Sequence, residues 1–280
     1  MSWVRVRRDL PCPICHHRDW CLRAADGSAA ICQRVEQGAR RRIGETGWLH
    51  VLDPRATGAR GRIHAIRVDD ESIRHDFTTL SEQYSQAMTS NRYAALAGRL
   101  GVSVESLHRL QVGYAGPGRY SFPMSDLRGR TIGVRIRTDS GRKFCVRGSK
   151  TGLFIPTDLT GRDFLLVAEG NTDTAAGLDL GFDCVGRPSA DTGANMLGRF
   201  CKGRDVIIAA DNDPKPDGTC PGIRGAIRLA VGLRLYCRCV KVVFPPDGIK
   251  DLRAWLQDGL THEELLNEVE RVEPVGLEVR

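Results

Sequence analysis

Four cysteines near the N-terminus have the residue type and spacing of a metal site: Cys12, Cys15, Cys21 and Cys32. Cys12-Pro-Ile-Cys15 is a knuckle that turns two thiolates toward one point, and a tetrahedral zinc ion then needs two more ligands. Asp26-Gly27 favours a hairpin turn, which would bring Cys21 and Cys32 together. We therefore predict a small ribbon that holds one structural Zn²⁺ through these four cysteines.

One alternative ligand set contains a histidine in place of Cys21, because His16 and His17 directly follow the knuckle. Four thiols without a metal are the other alternative. A hairpin of this length has almost no hydrophobic core, so bound zinc would supply most of its stability. The remaining six of the ten cysteines have no ligand spacing, and no secretory signal is visible, so we expect reduced thiols rather than disulfides.

Acidic residues stand at the ends of three predicted strands in the C-terminal half: Glu169, Asp211 with Asp213, and Asp251. The carboxyl ends of parallel strands meet at one edge of a sheet, so these side chains would converge. Converging carboxylates repel each other unless a cation neutralises them, and oxygen ligands suit Mg²⁺ or Mn²⁺. Two such ions ~3.5–4 Å apart form a clamp for phosphoryl transfer. The alternative is that the acids only cap helices.

Alternating buried strands and helices from residue 163 onward would position these acids. The strands are predicted at 164–168, 184–185, 205–210 and 240–244, and the helices at 173–180, 195–201 and 222–235. Strands separated by helices indicate a parallel sheet with right-handed crossovers. The predicted fold class is α/β, with this parallel-sheet domain preceded by a mixed α+β subdomain and the small N-terminal zinc ribbon. Helical spacing over 90–110 predicts two helices in the mixed subdomain.

A basic hairpin is the second charged feature of the mixed subdomain. Residues 128–150 carry eight basic side chains and one acidic side chain. Aliphatic residues alternate with basic ones on both sides of the turn Asp139-Ser140-Gly141. Period-two alternation places four cations on one face: Arg135, Arg137, Lys143 and Arg147. This face predicts contacts with phosphates, the alternative being a solvated surface.

Overall composition narrows the function further. The 280 residues carry 41 Lys+Arg against 34 Asp+Glu, and residues 1–68, with 13 basic and 6 acidic side chains, hold the whole excess of +7. A basic end favours a polyanionic partner. Apolar runs of at most five residues exclude a transmembrane helix, and the lack of a Gly-Lys dipeptide excludes a P-loop ATPase. We expect a cytoplasmic protein without a membrane partner.

Two stretches resemble the TOPRIM domain, which bacterial-type primases, topoisomerases, certain nucleases and the RecR recombination mediators share. Glu169-Gly170 and Asp173 match its glutamate motif, and Asp211 and Asp213 match its paired-aspartate motif. Lys250-Asp251 is similar to the Lys-Asp that follows the last strand in phage primases. The order of ribbon, mixed region and TOPRIM domain is that of bacterial and phage primases, whose ribbons usually combine three cysteines with one histidine.

This resemblance implies a DNA primase that makes short RNA primers on single-stranded DNA from nucleoside triphosphates. Glu169, Asp211 and Asp213 would hold Mg²⁺ or Mn²⁺ for two-metal nucleotidyl transfer, and Asp173 and Asp251 would add to the acidic cluster. The cations implied to contact template, nucleotide or phosphate are Arg135, Arg137, Lys143, Arg147 and Lys250. The zinc ribbon would contact template bases.

Two other functions stay open on the sequence. A TOPRIM nuclease would use the same metals to activate water, and a zinc-containing recombination mediator would bind DNA without catalysis. Because no ATPase loop is present, a primase of this kind predicts a separate replicative helicase as its partner. No helicase-binding domain follows residue 258, which favours an origin in a mobile element.

The predicted domain organisation follows from these features. Residues 1–36 are the zinc ribbon and residues 37–68 a basic linker. Residues 69–160 form the mixed α+β subdomain with the basic hairpin, and residues 161–280 form the TOPRIM domain with a C-terminal helix and tail.

Overall fold

The computed structural model describes residues 3–43, 47–53, 76–161, 164–190, 192–214 and 218–276. The chain divides into two compact units, residues 1–69 and residues 70–280. Within the described residues, every helix is too short or too polar to cross a membrane.

An antiparallel sheet of five short strands forms the N-terminal unit. The strands are β1 (Trp3–Arg5), β2 (Leu22–Ala24), β3 (Ala29–Cys32), β4 (Arg41–Ile43) and β5 (Gly47–Val51), in the spatial order β1-β2-β3-β5-β4. Gly27 closes the β2–β3 hairpin at a φ of 74°, and its amide donates to the carbonyl of Ala24 at 2.9 Å. The predicted hairpin is therefore present, with Cys21 just before β2 and Cys32 at the end of β3.

The structure differs from the predicted basic linker, 37–68, because β4 and β5 lie within it. β5 pairs with both β3 and β4. Its Leu49 and His50 are only 7% and 4% exposed, and Nε2 of His50 lies 2.9 Å from the carbonyl oxygen of Val35. Strands of three and five residues are too short to show a clear alternation in the sequence. Residues 54–68 lie outside the described residues.

Three helices and a second antiparallel sheet begin the C-terminal unit. The helices are α1 (Phe77–Gln86), α2 (Ser90–Leu100) and α3 (Val104–Arg109); the strands are β6 (Gly113–Tyr114), β7 (Arg119–Ser125), β8 (Thr131–Thr138) and β9 (Lys143–Cys145), in sequential order. Thr89 begins α2 by accepting a hydrogen bond from the amide of Arg92, and Gly101 ends it in the left-handed conformation. The two helices predicted over 90–110 are present, whereas α1 has no counterpart in the prediction.

A four-stranded parallel sheet with helices on its faces completes the unit. In chain order its elements are β10 (Phe164–Glu169), α4 (Asn171–Asp179), β11 (Cys184–Arg187), α5 (Ala194–Phe200), β12 (Asp205–Ala209), α6 (Pro221–Leu233), β13 (Cys239–Val243), α7 (Leu252–Gln257) and α8 (His262–Arg271). The strand order is β11-β10-β12-β13, and every neighbouring pair is parallel. The predicted α/β fold class is confirmed, and each predicted strand and helix lies within two residues of its predicted position.

Hydrophobic cores cover both faces of the parallel sheet. Alternate residues of β10 enter opposite cores, Leu166 on one side and Leu165 and Val167 on the other. Burial on both faces is typical of parallel sheets. The core on the Leu166 side also contains Phe122 of β7, so the predicted regions 69–160 and 161–280 share one core. This common core fixes the basic hairpin relative to the strand ends.

Candidate active site and metal centre

The four predicted zinc ligands lie together: the sulfur atoms of Cys12, Cys15, Cys21 and Cys32 are within 4.8 Å of one another. Cys15 is partly exposed and the other three are buried. Neither His16 nor His17 belongs to the cluster. In the part of the chain that the structure describes, no other group of three or more His, Cys, Asp or Glu residues has ligand atoms this close.

N–H groups donate to these sulfur atoms and oppose the effect of burial, which raises the pKa of Cys21 to about 12 and raises the pKa of Cys32 as well. The backbone amides of Arg34 and Val35 donate to Sγ of Cys32 at 3.4 and 3.3 Å, and the guanidinium of Arg34 donates to Sγ of Cys21 at 3.7 Å. Burial acts to raise the pKa of Cys15, but hydrogen bonds from a backbone amide and neighbouring thiols together lower this pKa to about 7. Four converging sulfur donors fit the ligand set of a structural Zn²⁺.

The second cluster lies at the carboxyl edge of the parallel sheet. Glu169 is the last residue of β10, while Asp211 and Asp213 follow β12 directly. β10 and β12 are neighbours, with Val167 opposite Ile208. The two strands therefore end at the same edge of the sheet. The structure thus brings the glutamate and the paired aspartates to one edge, as the strand pattern predicts.

Two glycines allow the chain to turn beside these acids. Gly170 follows Glu169 at a φ of 90°, a left-handed conformation that a side chain would strain. Gly222, in the first turn of α6, packs so closely that an added Cβ would lie 2.7 Å from Cβ of Asp211. The amide of Asn212 donates to the carbonyl of Lys250 at 2.6 Å, which ties the paired-aspartate loop to the loop after β13. The position of Asp211 is therefore set by contacts on both sides.

Asp173 and Asp251 differ from the other acids because both are buried and bound to backbone amides. Their residues are 5% and 8% exposed. Oδ1 of Asp173 accepts a hydrogen bond from the amide of Arg253 at 3.1 Å, and Oδ1 of Asp251 caps α7 by accepting from the amide of Ala254 at 2.8 Å. The capping alternative therefore applies to these two acids, while Glu169 remains partly exposed at 23% of its side chain.

Burial and mutual repulsion raise the pKa of two of the carboxyl groups. Burial, followed by the charges of Asp173 and Glu169, raises the pKa of Asp211 to about 8. Burial and the charge of Asp251 raise the pKa of Asp173 to about 7, although the amide and charge of Arg253 oppose this rise. The cluster therefore gathers more negative charge than the surrounding protein neutralises, which favours a bound cation.

The donor set of this cluster fits Mg²⁺ or Mn²⁺ because every ligand is a carboxylate oxygen. Within the described residues these oxygens do not form a group of three within 4.8 Å, as the four sulfur atoms do. Mg²⁺ usually keeps several waters and takes one or two carboxylates together with substrate phosphates. Glu169, Asp211 and Asp213 are the partly exposed acids that could hold such an ion.

The basic hairpin turns one face of cations toward the acids. Arg137 lies opposite Lys143 in the β8–β9 register, and Arg135 lies opposite Cys145. Buried Val134 and Ile136 occupy the other face. Phe144 was predicted to join this aliphatic face, but it is 43% exposed because β9 is the edge strand of its sheet. Arg147 lies just beyond β9 and is exposed.

Electrostatic interactions link this face to the acidic cluster. Although Lys143 is exposed at the surface, desolvation by its neighbours and then the charge of Arg137 lower its pKa, while the charge of Asp173 opposes this effect. Burial and then the charge of Arg253 lower the pKa of Arg137, and Asp173 and Asp251 oppose that effect. The positive charge of Lys250 also lowers the pKa of Lys143. Arg137, Lys143 and Lys250 thus concentrate positive charge beside the carboxylates, an arrangement that suits a phosphate chain bridging both.

Arg187 is a site residue that the sequence reasoning missed. It ends β11 opposite Glu169 in the register and is only 3% exposed. Its Nη2 lies 3.6 Å from Oε2 of Glu169, and its Nη1 donates to the carbonyl of Ala190. A basic residue at the carboxyl end of a strand beside the glutamate strand is the signal that could have found it.

Asn171, which begins α4 immediately after Gly170, is a second missed residue. It is 2% exposed, and its Nδ2 is buried without a hydrogen-bond partner among the described residues. An unsatisfied buried amide is costly in a native protein and is often found at a functional site. Its position two residues after Glu169 puts this donor beside the acidic edge.

Solved structures with a similar fold include catalytic domains of DnaG-type primases. The DnaG primase catalytic domain bound to single-stranded DNA aligns with a TM-score of 0.55 and 21% identity over 71% of this chain and 78% of that one. The Escherichia coli primase catalytic core aligns with a TM-score of 0.52 and 19% identity, over 71% of this chain and 79% of that one. The zinc-binding and RNA polymerase domains of Aquifex aeolicus primase align with a TM-score of 0.58 and 18% identity, over 71% of this chain and 60% of that one. No protein-family model and no curated protein matches the sequence.

These similarities concern the fold. The chain has the architecture of a DnaG-type primase catalytic core, together with an N-terminal four-cysteine cluster that fits a zinc ribbon. At 18–21% identity, any conclusion about chemistry has to come from the residues of this chain.

Proposed function

We propose that this protein is a DNA primase that synthesises short RNA primers on single-stranded DNA by Mg²⁺-dependent nucleotidyl transfer. One observation carries the proposal: carboxylates from neighbouring parallel strands face a cationic hairpin within a fold that resembles primase catalytic cores. Separated negative and positive surfaces of this kind suit a metal-bound triphosphate and a nucleic-acid backbone. We assign the parallel-sheet half to the TOPRIM class on the same residues.

Each group of residues has a distinct role in this proposal. Glu169, Asp211 and Asp213 bind the Mg²⁺ or Mn²⁺ ions, which polarise the phosphoryl group and favour attack by the primer 3′-hydroxyl. Asp173 and Asp251 hold the start of α7 against the cluster through their hydrogen bonds to backbone amides. The cations that bind nucleotide phosphates or the template backbone are Arg135, Arg137, Lys143, Arg147 and Lys250.

Other parts of the molecule supply the partners. The zinc ribbon binds template bases, and its four thiolates hold one structural Zn²⁺ through Cys12, Cys15, Cys21 and Cys32. A separate replicative helicase opens the duplex. The protein works in the cytoplasm.

A single assay tests the function. The full chain is incubated with single-stranded DNA, labelled ribonucleoside triphosphates and Mg²⁺, and the products are separated by length. We expect new short RNA strands that disappear in Asp211→Asn. Asp205→Asn is the matched control, because Asp205 begins the same strand and pairs with Arg238 at 2.7 Å, far from the acidic edge.

Three other outcomes would overturn the proposal. Shortened DNA without a new strand would identify a nuclease that uses the same metals to activate water. Tight binding of DNA with neither product would identify a non-catalytic mediator. Primer synthesis that survives Asp211→Asn would place the chemistry elsewhere in the chain.

A further inference from the structure

Arg253 is a cation beside the acidic cluster that the sequence pattern did not single out. It is the second residue of α7, and its amide donates to Oδ1 of Asp173 at 3.1 Å. Its Nη1 donates to the carbonyl of Leu100, the last residue of α2, at 3.1 Å. Backbone and side chain are thus both anchored, so the guanidinium has a fixed place between the acidic cluster and α2.

The guanidinium of Arg253 has unused hydrogen-bonding capacity. Nη1 is its only side-chain nitrogen with an acceptor among the described residues, and Nε is buried without one. The residue as a whole is partly exposed, so a ligand can reach it. A guanidinium presents its N–H groups in a rigid fork that matches two phosphate oxygens. Because donors without acceptors are costly, this arrangement favours an anionic ligand.

Arg137 lies next to this guanidinium. Leu100 follows Arg99, whose guanidinium carbon lies 5.2 Å from the centre of the Tyr120 ring. Tyr120 is in turn directly opposite Arg137 in the β7–β8 register. After burial, the charge of Arg253 is the strongest influence that lowers the pKa of Arg137. The two guanidinium groups are therefore close enough to repel each other.

Lys143 is the third cation of this group. It lies opposite Arg137 in the β8–β9 register, and neither side chain forms an ion pair with a carboxylate in the part of the chain that the structure describes. Asp173 and Asp251 are the acids whose charges act on Arg137, and both already accept hydrogen bonds from backbone amides. The three cations can therefore pair with an additional anion.

We propose that Arg253, together with Arg137 and Lys143, binds the two terminal phosphates of the nucleoside triphosphate, which leave as pyrophosphate. This inference rests on the proposed function. When the primer 3′-hydroxyl attacks the α-phosphorus, the bond from that atom to the oxygen shared with the β-phosphate breaks. The electron pair of this bond stays on pyrophosphate, and the hydroxyl proton passes to water. The three cations stabilise the negative charge that develops on the leaving group.

Binding measurements without template test the proposal with the full chain. ATP and inorganic pyrophosphate are each titrated by calorimetry in the presence of Mg²⁺. We expect Arg253→Gln to weaken both affinities at least about tenfold, because charge-assisted hydrogen bonds are lost. Arg253→Lys should recover part of the affinity, since an ammonium group keeps the charge but not the fork. The affinity for a single-stranded DNA oligonucleotide should be unchanged in both variants.

Gln257→Ala is the matched control for a purely structural role of Arg253. Nε2 of Gln257 donates to the same carbonyl of Leu100 at 3.0 Å, so this variant loosens α7 from α2 without a change of charge. It should keep the parental affinities for ATP and pyrophosphate. Circular dichroism should show that every variant keeps the parental helix content, so that a loss of binding is not a loss of fold.

Three results would overturn the proposal. Equal losses of ATP affinity in Gln257→Ala and Arg253→Gln would show that Arg253 only holds α7 in place. Weaker binding of single-stranded DNA with unchanged ATP affinity would place Arg253 on the path of the template. Unchanged affinities for ATP and pyrophosphate in Arg253→Gln would exclude the site. No primer is made in these titrations, so a failure of primer synthesis would reject the proposed function, while weaker ATP binding in Arg253→Gln would still support this phosphate site.

Discussion

The cysteine cluster and the acidic cluster assemble in opposite ways. In the cysteine cluster, four sulfur atoms lie within 4.8 Å of one another in a unit whose core around them is only Val6 and the cysteines themselves, with a few partly buried neighbours. The carboxylates instead stand on a parallel sheet with an extensive core on each face. A bound metal would thus supply much of the stability around the cysteines, since the other apolar cluster of that unit is also small, whereas the parallel sheet is held by its own cores.

This contrast matches the difference between a structural and a catalytic metal site. A structural site gains stability when its ligands close fully around the ion, whereas a catalytic site keeps positions open for substrate. The sheet tolerates carboxylates whose pKa values are raised to about 7 for Asp173 and about 8 for Asp211. In the proposed function, a bound cation and substrate phosphates would offset the repulsion among these carboxylates.

The largest effect is expected from breaking the cysteine cluster. Cys32→Ser removes a fully buried ligand that ends β3, and zinc binding in small domains contributes about 10–16 kcal/mol. We expect the N-terminal unit to lose its bound zinc and its folded NMR signals. The signals of residues 70–280 should persist, because that unit has its own core.

Cys145→Ser is the matched control, since Cys145 is exposed and outside the cluster. It should keep one zinc per chain, measured by elemental analysis. Dispersed amide signals from the N-terminal unit in Cys32→Ser would contradict a structural role for the metal.

Removing a carboxylate from the acidic edge should stabilise the metal-free fold, whereas removing a cysteine ligand should destabilise the N-terminal unit. In Asp211→Asn we expect primer synthesis to fall by about 10³-fold or more, since metal stabilisation of the transition state is worth several kcal/mol. Without Mg²⁺, the melting temperature should rise, because a repelled charge is gone. Calorimetry of the parent and variant in chelator measures this rise, and a large fall would show that Asp211 supports the fold instead.

The sequence predicts local patterns in these two regions but not the contacts between separate elements, and the reasons are physical. The knuckle, the Asp26-Gly27 hairpin and the strand–helix alternation are local patterns, so they were readable in advance. Arg187 reaches Glu169 only because β10 and β11 are neighbours, and no local spacing encodes that pairing. The capping role of Asp251 likewise required α7, a helix of six residues that is too short for a clear periodicity.

Substitution of Arg187 should have a smaller effect on primer synthesis, and it tests how one carboxylate of the acidic edge is held in position. Its ion pair with Glu169 holds the carboxylate in position, and loss of a residue that orients a metal ligand typically costs about 10–100-fold in metal affinity or activity. We expect Arg187→Met to raise the Mg²⁺ concentration needed for half-maximal primer synthesis, with partial recovery in Arg187→Lys. An unchanged Mg²⁺ dependence with a reduced maximal rate would contradict this positioning role.

The smallest effect is a pH dependence of stability confined to the acidic edge. The folded-state pKa values of Asp173 and Asp211, about 7 and about 8, lie above the reference value of 3.8. The folded protein therefore binds more protons than the unfolded chain between these values, so stability is highest at the acidic end and is lost as pH rises. In chelator, the melting temperature of the C-terminal unit should fall between about pH 5 and about pH 8.

Mg²⁺ provides the control, because a bound cation takes over the role of the protons. Saturating Mg²⁺ should flatten the decline, and Asp211→Asn should reduce its slope without added metal. Scanning calorimetry across this range measures both. The cysteine cluster predicts the opposite trend for the N-terminal unit, since protons compete with zinc for thiolates and its stability should rise with pH. If both units lost stability as pH rises, or both gained it, the contrast between a structural zinc site and an acidic cluster that repels itself without metal would be contradicted.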